Sequence, residues 1–357
     1  MAATSEWIAD PARLGEVAAA WDRLARVDPS PFSTHAWLVA WWRAFGGDAE
    51  PRVLALWEGG ELVAGLAVVA GRGRLGAMAN EQSPAFRPLA RDADGRERLS
   101  RELLSVRLPL VARALPEWEA DNAALIAMVD RLGGRSVLEP DYVSPIADTT
   151  GALDDYRARL ARGWRELERR GRKLRREHAV EEVVVAPPTE LDSELAEGLA
   201  LESSGWKGIS GTAVLSRPDT AAFYRDMATA FHARGELRLS SLRVDGRLAA
   251  FDLALLDRGR YYLLKTAYDE SLRSLAPGLV LRRAVVERCF GLGLDAHEFL
   301  GADMPWKRLF ATGEREHFVW RAWPSGARNA LGYAYRRRVR PLIRGVYLRG
   351  RAVARSG

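Results

Sequence analysis

Residues Tyr261–Phe310 constrain this chain more than any other stretch. They read as an aromatic and aliphatic strand (Tyr261–Ala267), a polar segment narrowing to Ala276-Pro277-Gly278, an amphipathic helix, a second strand (Ala296–Leu300) and a polar turn ending in Trp306-Lys307. The first amides of a helix have no internal partner and lie at the positive end of its dipole, so a strand entering a helix through small residues makes an anion cradle. Pro277 suits the first helical position, where its missing N–H costs nothing. Gly278 removes the side chain that would keep a ligand off the backbone.

The chain around this unit has 357 residues, enough for two or three domains, with 48% hydrophobic and 28% charged residues, as in ordinary globular proteins. Its single cysteine, Cys289, excludes an intramolecular disulfide and a cysteine-based zinc site, and its apolar surroundings predict a buried thiol. The five histidines show no metal-ligand spacing, so no metal is expected. No signal sequence or apolar run of spanning length is visible, which predicts a cytoplasmic protein. The net charge of +6 is concentrated at Arg157–Arg176 and Arg336–Arg355. The second patch predicts peripheral contact with anionic membrane.

Two halves repeat one order of elements. A helix ending near Phe45 precedes a hairpin turning at Gly60, and a helix containing Phe231 precedes a hairpin turning at Gly246, with equal spacing between the members of each pair. The divisions expected are a first half at 1–150, a basic linking helix at 151–178, a second half at 179–326 and a basic tail at 327–357. A single long helix is predicted over Leu153–Glu177, with Leu160, Trp164, Leu167 and Leu174 on its apolar stripe. The first half shows no match to the Ala276-Pro277-Gly278 turn, so one ligand site is predicted, in the second half.

Three groups of residues carry possible chemistry. Lys307, beyond the strand Ala296–Leu300, stands where ligands of open sheets collect and could hold a phosphate or a developing oxyanion. Leu201–Gly211 brackets Trp206-Lys207 with glycines, as loops that close over substrates do. Glu202, Asp252, Asp269, Glu298 and Asp303 are the carboxylates placed to act as a base. Asp252, in an apolar strand, would gain a raised pKa if buried. His297 and Glu298 face opposite sides of their strand. Ser-His-Asp, HExxH and RNA-recognition patterns are absent.

The order of Gly205-Trp206-Lys207-Gly208, Asp245-Gly246, Tyr268-Asp269, Ala276-Pro277-Gly278 and Phe299-Leu300-Gly301-Ala302-Asp303-Met304-Pro305-Trp306-Lys307 resembles GNAT acyltransferase domains of the polysaccharide-biosynthesis-associated type. The two-half plan also resembles Fem-type aminoacyltransferases. The resemblance implies an α/β (α+β) fold of two tandem GNAT-like halves, each a mixed, mainly antiparallel sheet flanked by helices. It implies an acyl-CoA at the second half, with its pyrophosphate on free amides within Ser274, Leu275, Ala276, Pro277, Gly278 and Leu279, proline having none to offer. The pantetheine would lie along Lys265, Thr266 and Ala267.

On this reading Glu202, Trp206, Lys207, Tyr268 and Asp303 meet the acceptor, an amine or hydroxyl of a cell-envelope or exopolysaccharide precursor. Glu298 or Asp252 takes its proton, and Lys307 stabilises the oxyanion. Trp306 stands where such proteins usually carry tyrosine, so no phenol acts there. The alternatives are an aminoacyl-tRNA-dependent Fem-type transferase, motivated by the duplication and the basic helix, and a non-catalytic binding module.

Overall fold

The structure, a computed structural model, describes residues 3–28, 30–47, 50–71, 73–116 and 121–339. The first half comprises β1 (Ala3–Ile8), α1 (Pro11–Glu16), α2 (Ala18–Leu24), α3 (His35–Phe45), β2 (Glu50–Glu58), β3 (Glu61–Gly71), β4 (Arg74–Ala77), β5 (Leu89–Ala90), α4 (Ala93–Ser105), β6 (Leu110–Pro116), α5 (Asp121–Arg131) and β7 (Arg135–Asp148). The second comprises α6 (Leu153–Arg159), α7 (Ala161–Glu177), β8 (Val180–Ala186), α8 (Leu191–Ser204), α9 (Trp206–Ile209), α10 (Pro218–Ala233), β9 (Leu237–Val244), β10 (Arg247–Asp257), β11 (Arg260–Tyr268), α11 (Pro277–Gly291), β12 (Ala296–Glu298), β13 (Gly313–Trp323) and α12 (Ala327–Ala334).

The strands join in one sheet ordered β1-β2-β3-β4-β6-β13-β7-β12-β11-β10-β9-β8, with β5 on β3. The duplication is legible in that order. Each half begins with antiparallel strands and reaches a parallel pair, β4 with β6 or β11 with β12, joined through α4 or α11. The final strands then change sides. β7 pairs with β12, and β13 lies between β6 and β7, so the two halves trade their last strands and the sheet runs on without a break.

The two hairpin turns share a local cause. Gly59 and Gly60 in one, and Asp245 and Gly246 in the other, all have positive φ, the conformation of a two-residue turn whose twist matches its strands. Five residues beyond each turn glycine, Gly65 on β3 leaves room for the ring of Trp21 from α2, while Phe251 on β10 fills the space left by Gly198 of α8. The bulky group has moved from helix to strand between the halves, conserving packed volume. Helices α3 and α10 meet through Trp37, Phe45, Phe223 and Phe231, with ring centroids 5.1 Å apart for Trp37–Phe223 and 5.3 Å for Phe45–Phe223. Both halves therefore contribute to one core.

Two expectations need correction. The predicted helix over Leu153–Glu177 is broken at Leu160, whose φ and ψ of −105° and 17° leave the helical region; Trp164, Leu167 and Leu174 still form a buried stripe against α11. The first half does have a counterpart of the strand–turn–helix unit, namely β4–α4. There the N-terminal amide of Gly95 is taken by the Asp92 carboxylate at 2.8 Å, so the chain's own anion fills the cradle. Of the basic tail, residues 340–357 lie outside the described region, and Arg336 pairs with Glu139.

Candidate active site

Strands β11 and β12 run side by side for only three residue pairs, Arg260–Ala296 to Tyr262–Glu298. Beyond them β12 stops, and the chain turns away through Leu300 and Gly301, both at positive φ (51° and 59°). Strand β11 continues to Tyr268, with Leu264 bulged out of its register with β10. The parted strands open a cavity of about 1050 Å³, walled by Leu263–Tyr268, Phe299–Ala302, the start of α11, α8–α9 and the first-half loop Ala79–Pro84. A sheet that splays in this way leaves peptide groups of its inner strand without a neighbour, available to a ligand.

The start of α11 forms one end. Ala276 occupies the left-handed region, and no side chain caps the helix. Contrary to expectation, most amides there are spent on turns: Leu275 donates to Leu272, Ala276 to Arg273 and Leu279 to Ala276. The Gly278 amide takes part in none of these turn bonds, Gly278 lines the cavity, and a Cβ on it would stand 3.3 Å from that of Tyr268. Arg273 and Arg170 also line the cavity, Arg170 with its Nε donating to Glu166 at 2.8 Å. Ser274, Leu275 and Pro277, predicted to touch the ligand, do not line the cavity; Ala276, Gly278 and Leu279 do.

Lys307 is buried at the opposite wall. Its Nζ donates to the carbonyls of Leu300 (2.5 Å) and Ala302 (2.7 Å) and lies 5.8 Å from the Trp306 ring centre. The left-handed turn at Leu300–Gly301 aims both carbonyls at it. Burial lowers its pKa to about 8. Lys207 reaches Glu202 (2.8 Å) and the carbonyl of Thr266 (2.8 Å), tying α9 to β11. Glu202 lies in α8 rather than a loop, is 3% exposed, and uses its second oxygen to accept the Val214 amide. Each of its oxygens thus already accepts one bond from the protein, and the side chain also lines the cavity. Trp206, 52% exposed, overhangs the cavity mouth with Tyr268.

The two carboxylates expected to serve as bases are placed elsewhere. Glu298 is 1% exposed, bound to Arg260 (2.9 Å) and Arg315 (2.7 Å), and absent from the cavity wall. Asp252 is buried beneath the cavity, and burial raises its pKa against the pull of Arg282. Its Oδ1 accepts from Arg282 at 2.5 Å, and Arg282 reaches His297 at 3.0 Å. His297 is thereby held neutral, its pKa lowered by burial and by Arg282. Asp303 faces solvent and pairs with Arg308. Glu298 and Asp303 are tied to arginines, and Asp252, although its Oδ2 has no hydrogen-bond partner, is buried and does not line the cavity.

Residues 154–308 match the family model of the acetyltransferase (GNAT) domain. The second half has a GNAT fold. Among solved structures, the whole chain is similar to FemX (TM-score 0.55, 11% identity, covering 88% of this chain and 97% of that one). It is also similar to the C-terminal domain of a candidate lysylphosphatidylglycerol synthetase from Agrobacterium fabrum (TM-score 0.54, 13% identity, covering 90% and 95%). A conserved protein of unknown function from Bacteroides thetaiotaomicron gives a TM-score of 0.53 at 13% identity, covering 90% and 100%. These likenesses establish the shared fold of the two-half chain. No curated protein sequence matches it.

The GNAT half does not complete the cavity alone. Gln82 and Arg113 enter it from the first half, and Tyr224 of α10 joins them from the second. Motif reading missed all three. A cruder count points to the same place: the chain has four lysines, and three of them, Lys207, Lys265 and Lys307, line this one cavity.

Proposed function

We propose that the protein is an acyltransferase moving an acyl group from acyl-CoA to an amine or hydroxyl. The observation that carries this reading is the parting of β11 and β12 beside an uncapped α11, where the Gly278 amide, Arg273 and Arg170 offer one anion-binding end. The GNAT match over the same residues supports it. The residues present fit a CoA pyrophosphate: the backbone approach at Gly278 would be closed by a Cβ, and Arg273 and the Glu166-bound Arg170 line the same cavity.

The bound thioester supplies an activated acyl carbon. The acceptor nitrogen or oxygen forms a bond to that carbon as the carbon–sulfur bond breaks, and the acceptor's proton ends on the released thiol. The unpaired peptide groups of β11 orient the donor, and the third N–H of Lys307 faces the developing oxyanion. Trp206 excludes water at the mouth. The finer reading, an acceptor on a cell-envelope or exopolysaccharide precursor, rests on the order of motifs from Gly205 to Lys307. Among the described residues no helix is long and apolar enough to cross a membrane. Membrane contact, on this proposal, falls to the basic tail.

Acetyl-CoA or a longer acyl-CoA is expected to raise the melting temperature in a saturable way, by about 2.7 kcal/mol of added stability at a hundredfold excess over Kd. Gly278→Val should remove that rise while leaving the circular dichroism spectrum unchanged. A second reading, aminoacyl-tRNA as donor, draws on the FemX likeness and on α7. The glutamates of α7 offset part of its charge, Glu166 pairing with both Arg169 and Arg170, and the helix keeps a basic excess. A salt-sensitive tRNA shift in a low-salt gel, with no response to any acyl-CoA, would favour it.

A further inference from the structure

The chain carries 53 lysines and arginines, of which only four are lysines. Arginine serves almost everywhere a fixed positive charge is used, so the lysines in the cavity stand where a compact ammonium is needed. Lys207 is matched by Glu202, and Lys307 is held by two carbonyls. Lys265 differs from both. Its Nζ donates to Gln82 Oε1 at 3.0 Å and lies 4.9 Å from the centre of the Tyr224 ring. Among the described residues no carboxylate lies within ion-pair distance of it, and Glu202 and Glu81, which also line the cavity, act on it only through space. Two of its three N–H groups therefore have no hydrogen-bond partner among the described residues, and the side chain lines the cavity.

Gln82 extends the arrangement. Its Oε1 accepts from both Lys265 and the Tyr224 hydroxyl (3.2 Å). A lysine can only donate, so the amide oxygen is fixed toward it, and the amide N–H₂ faces away as a further donor pair. Gln82 comes from the first half, Tyr224 from α10 and Lys265 from β11. The cluster lies across β11 from α11: Lys265 faces Tyr224 of the α8–α10 layer, whereas Thr266 reaches Arg282 of α11. It is thus separate from the end at Gly278 and Arg273.

We infer that Lys265 and Gln82 form an anion subsite for the acceptor, so that the protein acylates molecules bearing a carboxylate or phosphate near the accepting amine or hydroxyl. This rests on the acyltransferase reading above. An ammonium held by one amide oxygen and a ring has lost much of its hydration, and an incoming anion restores it. Burial lowers the pKa of Lys265, and a bound anion would reverse that shift. The first half then has a role in the reaction: through Gln82 it reads the acceptor.

Limited acetylation of the intact protein with an N-hydroxysuccinimide ester, followed by peptide mass spectrometry, reports Lys265 with Lys173 as exposed reference. At constant ionic strength, phosphate or acetate should slow modification of Lys265 about fivefold at several times its Kd, and leave Lys173 unchanged. Phosphate should also raise the melting temperature of wild type more than that of Lys265→Met or Lys265→Gln. Ethanolamine against phosphoethanolamine, and cadaverine against lysine, differ by one phosphate or one carboxylate; the pair distinguished by wild type but not by the variants names the anion. Equal phosphate shifts in wild type and variants, together with unprotected Lys265, overturn the inference. The acetyl-CoA shift is measured alongside. Its presence with no anion effect defeats this inference alone, and its absence defeats the acyltransferase reading independently.

Discussion

Asp252→Ala is expected to destabilise the protein by about 3–5 kcal/mol, read as a lower midpoint in urea or guanidinium. Arg282 is 1% exposed, and its other side-chain contacts, His297, the Thr266 hydroxyl and the Trp306 ring, carry no negative charge. Removing Asp252 strands a guanidinium charge beneath the cavity, because no other carboxylate among the described residues pairs with it. That loss is a large share of the stability of a typical domain. The double variant Asp252→Leu with Arg282→Met should recover much of it, since replacing both members by apolar groups removes the stranded charge. If Asp252→Ala instead left the midpoint unchanged while abolishing activity, Asp252 would be acting as the base from which its burial excludes it.

Lys307→Met is expected to lower acyl transfer about a hundred- to a thousandfold while acetyl-CoA binding persists, the range found when one oxyanion donor is removed. In wild type the rate should fall as pH rises through about 8, where Lys307 loses the proton that makes it an ammonium. Lys307→Arg should retain a small activity without that alkaline limb, because a guanidinium does not titrate there. Stability moves the other way. The folded value of about 8 lies below the ordinary 10.5, so between these the unfolded chain binds more protons, and titration of Lys307 stabilises the fold as pH rises. A rate that climbed through pH 8 would assign Lys307 as a base.

Local patterns carried the sequence reading where local rules govern. The hairpins at Gly60 and Gly246, the Pro277 helix start and the apolar stripe of α7 depend on turn chemistry and helical spacing, and each stands where it was expected. Cys289 is buried, and its thiol is pushed up to about 12. The exchange of β7 and β13 has no local signal, since strand pairing between halves is decided by packing across more than 150 residues of chain. The carboxylates failed for a related reason. Asp252 sits in an apolar strand and Glu298 in a three-residue one, and neither pattern can say whether an arginine from another element fills the space beside them; Arg282 and Arg315 do. Gln82 was invisible because its role comes from the meeting of two halves. The lysine count was the one global feature that pointed at the cavity, and it needs no register to be read.

The most direct test of the account is native mass spectrometry of the intact chain with acetyl-CoA. A single bound acetyl-CoA per chain is expected, lost in Gly278→Val and retained in Lys307→Met, because Asp92 already fills the matching cradle of the first half. No adduct at millimolar acetyl-CoA or with longer acyl chains, from a chain that is folded by circular dichroism, would contradict it, and so would an adduct that survives Gly278→Val.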